Sequence, residues 1–403
     1  MIKILKDLKE VSPDYRVMLL MLFLMKAGQF MVLPFLAIFL AAQGKFSPTA
    51  IGFIVGSGPF VYAVAGLFAG VFSDRFSPKT TMIVAQFAGG ISIFFFFSFH
   101  GFAWYFLANV MTGLSRVFFD IGSKAYKVSG LSLHERRIRF SFRYMIINSA
   151  AAVGPAGGAY FAAIHSYNSF KIIGLLYVLL AIVAIFVLHK SDHELLRRQN
   201  KAPASLFDSW NLLLRNRQLQ MLSLIAFVFW MAYSQIDSTL PQYLHAKLSN
   251  GVHVYSWMLV TNAVGCALVP LFLLRGLKNM AMPRQGILGM GLFAASFVLI
   301  SFVLQTYALL GAMLILVFAE SIIMPLNDLI MSSISPAHQV GKYYGAMSFS
   351  SIGMGLGPML GGLLYQHFGL PLVFCLCAIL CLLTVLIYQK LLPCHSRESG
   401  NPS

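Results

Sequence analysis

Charge is what this sequence has least of. Asp, Glu, Lys and Arg make up 10% of its 403 residues, while 58% are hydrophobic, where an ordinary soluble chain carries about a quarter charged. With a mean hydropathy of +0.77, that scarcity excludes a soluble globular domain and implies an integral membrane protein. Acids are scarcer still, 13 against 29 bases. In a soluble domain this excess would suggest a nucleic-acid partner, but in a membrane chain the bases must first be placed against the spans. Cysteine is sparse: Cys375, Cys377 and Cys381 share one apolar stretch without the paired CxxC and His spacing of a zinc site. They read as packing residues. No GxSxG, HExxH, Walker loop or dinucleotide fingerprint occurs, which leaves a membrane-bound enzyme as a distant third reading and no case for ATP as direct energy source. His100, His134, His165 and His338 are too scattered for a metal cluster, and a filter loop or continuous polar pore for a channel is missing.

What is present is apolar length. About 20 apolar residues cross the hydrocarbon as a helix, and cutting the chain at polar, Gly and Pro punctuation yields twelve spans. They fall near 16–42, 49–72, 80–99, 102–131, 138–163, 168–189, 218–246, 252–275, 284–303, 305–334, 340–365 and 370–390. The expected fold is all-α, with twelve transmembrane helices in two pseudo-symmetric six-helix bundles. Residues 1–189 form the first bundle, 190–217 a polar linker, 218–390 the second bundle, and 391–403 a disordered tail. The N-terminus, MIKILKDLKEVSPDYR, reads as a short amphipathic helix rather than a cleavable signal. An even number of spans puts both termini on one side, and only Lys45, Lys171 and Lys247 fall in loops on the other. The bias of Lys and Arg therefore makes both termini cytosolic.

The chain also repeats itself at an offset of about 204 residues. VLPFL in span 1 answers TLPQYL in span 7, and GPAGG in span 5 answers GPMLGG in span 11. Between spans 2 and 3 stands GVFSDRFSPK. Gly70, Asp74, Arg75 and Lys79 match the GxxxDRxGRK signature of the major facilitator superfamily, with Ser77 and Pro78 in place of Gly and Arg, and the chain resembles that family over nearly its whole length. Gly154, Pro155 and Gly158, with the stretch GLSRVFFDIGSKA at 113–125, resemble the bacterial twelve-span drug/proton antiporter branch. The resemblance implies a secondary transporter of the cytoplasmic (inner) membrane working by alternating access, with spans 1, 4, 7 and 10 lining a central cavity. It also implies that the loop at 70–79 latches the ends of the two halves near the start of span 11. Gly154, Pro155 and Gly158, with Gly353, Gly357, Pro358, Gly361 and Gly362, allow close helix approach and bending.

Most of the charge buried in spans falls on the four implied cavity helices. Span 1 has Lys26, span 4 has Arg116, Asp120, Lys124 and Lys127, span 7 has Asp237, and span 10 has Glu320 and Asp328. Intramembrane charge is costly and is usually functional. The repeat matches Arg116 with Glu320 and Lys124 with Asp328, opposite in sign, so the expectation is bases facing acids across the cavity. Asp120 could instead pair with Arg116 or Lys124 along its own helix, and Lys26 with an acid elsewhere. Tyr233, Gln235 and Trp230 are the aromatic and polar cavity candidates on span 7, whereas the FFFF run at 94–97 is expected to face lipid.

In the resembled antiporters an acid often stands in span 1. Lys26 there points toward a zwitterionic or anionic metabolite, such as a carboxylate-bearing siderophore or amino-acid derivative, exported against protons taken up by Glu320 or Asp237. Import of a charged nutrient by proton symport is the alternative. The expected partners are the small-molecule substrate, protons and the bilayer, in a monomer, with no nucleic acid, cofactor or metal.

Overall fold

The computed structural model describes residues 12–75, 77–126, 133–163, 170–188, 206–277, 280–335, 343 and 346–391. Twelve long helices lie where the hydropathy places them. They are α1 (Pro13–Ala42), α2 (Pro48–Arg75), α3 (Pro78–Phe96), α4 (Phe102–Ala125), α5 (Leu133–Ala163) and α6 (Phe170–Val187), then α7 (Arg217–Lys247), α8 (Gly251–Leu277), α9 (Met282–Phe302), α10 (Thr306–Ile334), α11 (Ile352–Phe368) and α12 (Leu370–Leu391). All elements among the described residues are helical. Eight of them are long and apolar enough to cross a membrane by length and composition alone. The charges of α4 and the polar start of α5 dilute the same signal in two of the others, and α11, at 17 residues, is too short to show it.

Several boundaries differ from the expectation. The signature at 70–79 is less a loop than a helix end, because α2 runs through Arg75 and α3 begins at Pro78. Ser77 explains the departure from the family pattern: its Oγ accepts from Thr80 N at 3.2 Å, and Pro78 opens the helix behind that cap. The polar linker contains a helix, Leu206–Arg215, whose apolar residues recur at helical spacing between polar ones. Before α11 the chain makes a short 3₁₀ turn, Ser348–Ser351. The expected amphipathic N-terminal helix falls mostly, and the expected tail almost wholly, outside the described residues.

The chain divides into two compact units, one of residues 1–39 with 57–204 and one of 40–56 with 205–403. In the first, α3 packs on α4 and α6; in the second, six helices later, α9 packs on α10 and α12. The same pairing in each unit is the physical content of the repeat. Residues 40–56 group with the second unit because the start of α2 lies against α11: a Cβ on Gly52 would meet the Pro358 carbonyl oxygen, and one on Gly56 that of Gly355.

The glycine motifs do in each unit what their spacing implies. A Cβ on Gly154 would strike the Ala27 carbonyl oxygen at 2.7 Å, and one on Gly158 would strike that of Met31, both on α1. On α11, a Cβ on Gly353 would meet the Phe227 oxygen, one on Gly357 would meet Met231 O at 2.5 Å, and one on Gly361 would collide with Gln235, all on α7. Backbones approach closely only where no side chain intervenes. Gln235 completes this seam, since its Nε2 donates to Gly357 O at 2.7 Å. It is 3% exposed, so it ties α7 to α11 rather than facing a cavity as expected. The FFFF run also divides: Phe94 and Phe95 are exposed, while Phe96 and Phe97 are buried against Phe39 and Tyr105. Four consecutive helical residues span too wide an arc to share one face.

Substituting Gly357→Val should therefore force α11 off α7. The expected outcome is a loss of about 1–3 kcal/mol, read as a lower Tm and a smaller monodisperse fraction in detergent, whereas Gly291→Val, at a glycine with open space around it, should change neither.

Candidate functional site

In the first unit, α4 supplies the centre. Gly113 lets α4 close on α2, since a Cβ there would collide with the Gly58 carbonyl oxygen. That approach brings Tyr62 of α2 within reach of Asp120, further along α4. The Tyr62 hydroxyl donates to Asp120 Oδ2 at 2.9 Å, and Lys26 Nζ of α1 donates to the same oxygen at 2.8 Å. Lys26–Asp120 is the one ion pair among the described residues. It resolves the alternatives left by the sequence: Asp120 takes a partner from another helix, not Arg116 or Lys124 of its own. A carboxylate out of water needs several donors, and α1 and α2 offer two at once. Gln29 Oε1, 3.4 Å from Lys26 Nζ, accepts a second hydrogen bond from the ammonium.

Arg116 is left over. Its guanidinium lies 5.3 Å from the centre of the Tyr62 ring, a cation–π contact, and its buried Nε has no hydrogen-bond partner among the described residues. Arg143 of α5, 4% exposed, likewise has a buried Nη1 without a partner there. One carboxylate, Asp120, thus stands among three bases, the buried Arg116 and Arg143 and the partly buried Lys26. Beside Arg116 is a cavity of about 30 Å³ lined by Gln29, Asn109, Thr112, Ser115 and Tyr177 among others, with room for roughly one water.

The second unit has the opposite sign. Glu320 of α10 accepts from Asn262 Nδ2 of α8 at 3.1 Å, and the Cys266 thiol and Tyr233 hydroxyl also reach its carboxyl. Asp237, one helical turn beyond Tyr233 on α7, lies near Glu320 and beside the Tyr255 phenol. Neither acid has an ion pair among the described residues. An aromatic stack backs the cluster: Tyr233 and Phe229 of α7 lie flat against Phe293 of α9, with centroids 6.4 and 5.0 Å away, and Trp230 meets Tyr233 edge-on at 6.0 Å.

Of the residues singled out from sequence, Lys26, Arg116 and Asp120 come together in one unit, and Tyr233, Asp237 and Glu320 in the other. Lys124 and Asp328, matched by the repeat, are both exposed. Lys79 donates Nζ to Ile185 O at the end of α6, 2.9 Å away. Gly70, Asp74 and Arg75 occupy the last turns of α2, and Lys127 lies outside the described residues. Sequence reasoning missed Tyr62, Asn262, Cys266 and Tyr255. A signal existed for two of them: Tyr62 and Cys266 are 204 residues apart, the same offset as Arg116 and Glu320, and each reaches an ionisable side chain of α4 or α10.

A helical membrane protein built of two like units, each with a buried ionisable cluster and without an enzyme's motifs, belongs to the class of transporters. The family comparison makes this definite. A model of the Major Facilitator Superfamily matches residues 18–351 and 250–403, and the chain belongs to that family. It is 26% identical to YqjV of Bacillus subtilis, an uncharacterised MFS-type transporter, over 91% of this chain and 89% of the relative. A Na(+), Li(+), K(+)/H(+) antiporter of Planococcus maritimus is 22% identical over 87% of this chain and 89% of that protein. The quinolone resistance protein NorA of Staphylococcus aureus is 24% identical over 42% and 43%. Among solved structures, the nucleoside transporter NupG superposes with a TM-score of 0.75 at 14% identity, over 94% of this chain and 99% of the other.

Because Lys26 and Asp120 neutralise each other, removing either charge alone should cost about 3–5 kcal/mol. Lys26→Met and Asp120→Asn should each lower Tm in detergent, and the double variant should recover most of the loss. Additive losses in a double-mutant cycle would mean that the pair is not coupled.

Proposed function

We propose that this transporter exports a small amphiphilic zwitterion or anion from the bacterial cytoplasm across the inner membrane in exchange for protons, with both termini cytosolic. The observation that carries the reading is the sorting of charge between the units. The first holds Arg116 and Arg143 with buried donors unpartnered among the described residues, whereas the second holds Asp237 and Glu320 without an ion pair. Unpartnered guanidinium donors in a low-dielectric setting suit a carboxylate or a similar anion. The acids suit a proton, because a carboxyl without a cation in hydrocarbon is far less costly when neutral. Glu320 is the coupling group in this reading, and Asn262, Tyr233 and Cys266 orient it.

Lys26 has a smaller part than span position alone suggests. Neutralised by Asp120, it contributes no free charge, so the preference for an anionic or zwitterionic substrate rests on Arg116 and Arg143. One relative supports exchange as the mode of transport, since it is named an antiporter that includes H(+); another, named a quinolone resistance protein, is in keeping with export.

The test uses proteoliposomes with an imposed pH gradient. Glu320→Gln should reduce gradient-driven transport to background while leaving Tm and monodispersity unchanged, and full gradient-driven transport by this variant would overturn the coupling assignment. The substrate class is read from thermal shifts against amino-acid derivatives, dicarboxylates and quaternary ammonium dyes. A ligand at about 100 times its Kd adds about 2.7 kcal/mol, so carboxylate-bearing compounds should raise Tm and Arg116→Ala should abolish the rise. Stabilisation by the dyes alone would reverse the preference. Direction is read in cells: deletion should raise the internal content of the stabilising compound, and reduced uptake would favour import.

A further inference from the structure

The helix Leu206–Arg215, LFDSWNLLLR, takes no part in the charge clusters, and its setting is specific. It ends one residue before α7, and that residue, Asn216, turns the corner with φ −102 and ψ 104. Both sides of the corner are held: Asn216 N donates to Leu212 O at 3.0 Å, its Oδ1 accepts from Leu219 N at 3.0 Å, and Gln220 Nε2 reaches back to Leu214 O at 2.7 Å. Asn216 Nδ2 further donates to the Tyr343 hydroxyl at 3.0 Å. A helix joined so tightly to the first turn of a membrane span lies at the height where that span meets water.

Its described open side pairs an apolar strip with the polar Asn211 and Arg215. Trp210 and Leu214, one turn apart, are 44% and 56% exposed. Trp210 touches Phe349 of the 3₁₀ turn before α11 edge-on, with centroids 4.9 Å apart, and this contact covers only part of the ring. Bases flank the segment in sequence: Arg197, Arg198 and Lys201 before it, Arg215 and Arg217 after it. An indole and a leucine on one helical face, with the exposed bases Arg215 and Arg217 at its end and more bases close by in the sequence, match a leaflet of anionic headgroups: the apolar pair enters the acyl boundary while the bases meet phosphate.

We infer that the Leu206–Arg215 helix is an interfacial anchor whose Trp210–Leu214 face is inserted into the linker-side leaflet and held there by anionic phospholipid. Through the Trp210–Phe349 contact the leaflet then steadies the turn that leads into α11.

The test is fluorescence of the full chain reconstituted in phosphatidylcholine vesicles with and without phosphatidylglycerol. A variant with Trp104, Trp230 and Trp257 changed to Phe leaves Trp210 as its one indole. Its emission should shift to the blue when phosphatidylglycerol is included, and lipids brominated near the headgroup should quench it more than those brominated at the chain end. Leu214→Asp should weaken both effects. In case that multiple variant folds poorly, Trp210→Phe in the otherwise native chain should remove a component quenched by shallow bromines. Trp210 quenched by aqueous iodide but not by brominated lipid, or shielded from both by protein, would overturn the anchor.

Discussion

Everything polar in the interior of this protein is constrained by the cost of charge in hydrocarbon. The Lys26–Asp120 pair is where that cost is met most directly, and Tyr62 and Gln29 are arranged around it so that neither ion lacks a hydrogen-bond partner. Because α1, α2 and α4 must converge to build the pair, the glycine contacts that bring them together become part of the site. Gly113 lets α4 close on α2, and the motif of α5 presses against α1 immediately after Lys26. Packing and electrostatics are therefore one requirement in this unit.

The second unit uses the same packing with the opposite charge. The motif of α11 lies on α7 as that of α5 lies on α1, yet the ionisable groups behind it are two acids. Duplicated scaffolds can diverge this way because close backbone contact depends on small residues at fixed spacing, whereas the neighbouring cluster positions tolerate any side chain whose hydrogen bonds are satisfied. The tyrosine and cysteine at equivalent positions, Tyr62 and Cys266, illustrate the divergence: each reaches an ionisable residue of α4 or α10, with donors of different strength.

Some features were readable and others were hidden for identifiable reasons. Span count, repeat and family signature follow from apolar length and local motif, which are properties of consecutive residues. The linker helix escaped because it is short and amphipathic, so averaged hydropathy hides it. Gln235 looked like a cavity residue by type, but its direction on α7 sends it into the seam with α11. The FFFF run was read as one face when a helix must split it between two.

By itself, then, the sequence determines that this chain crosses a membrane as two related sets of helices, that buried bases concentrate in the first and acids in the second, and which glycines allow close packing. Each of these is encoded along the chain at helical or repeat spacing. Only the tertiary structure decided that Lys26 and not a neighbour on its own helix neutralises Asp120, a partner 94 residues away. It likewise left Arg116 over and Lys124 and Asp328 exposed. Such choices depend on how each helix is rotated about its axis by packing, and hydropathy does not carry that rotation.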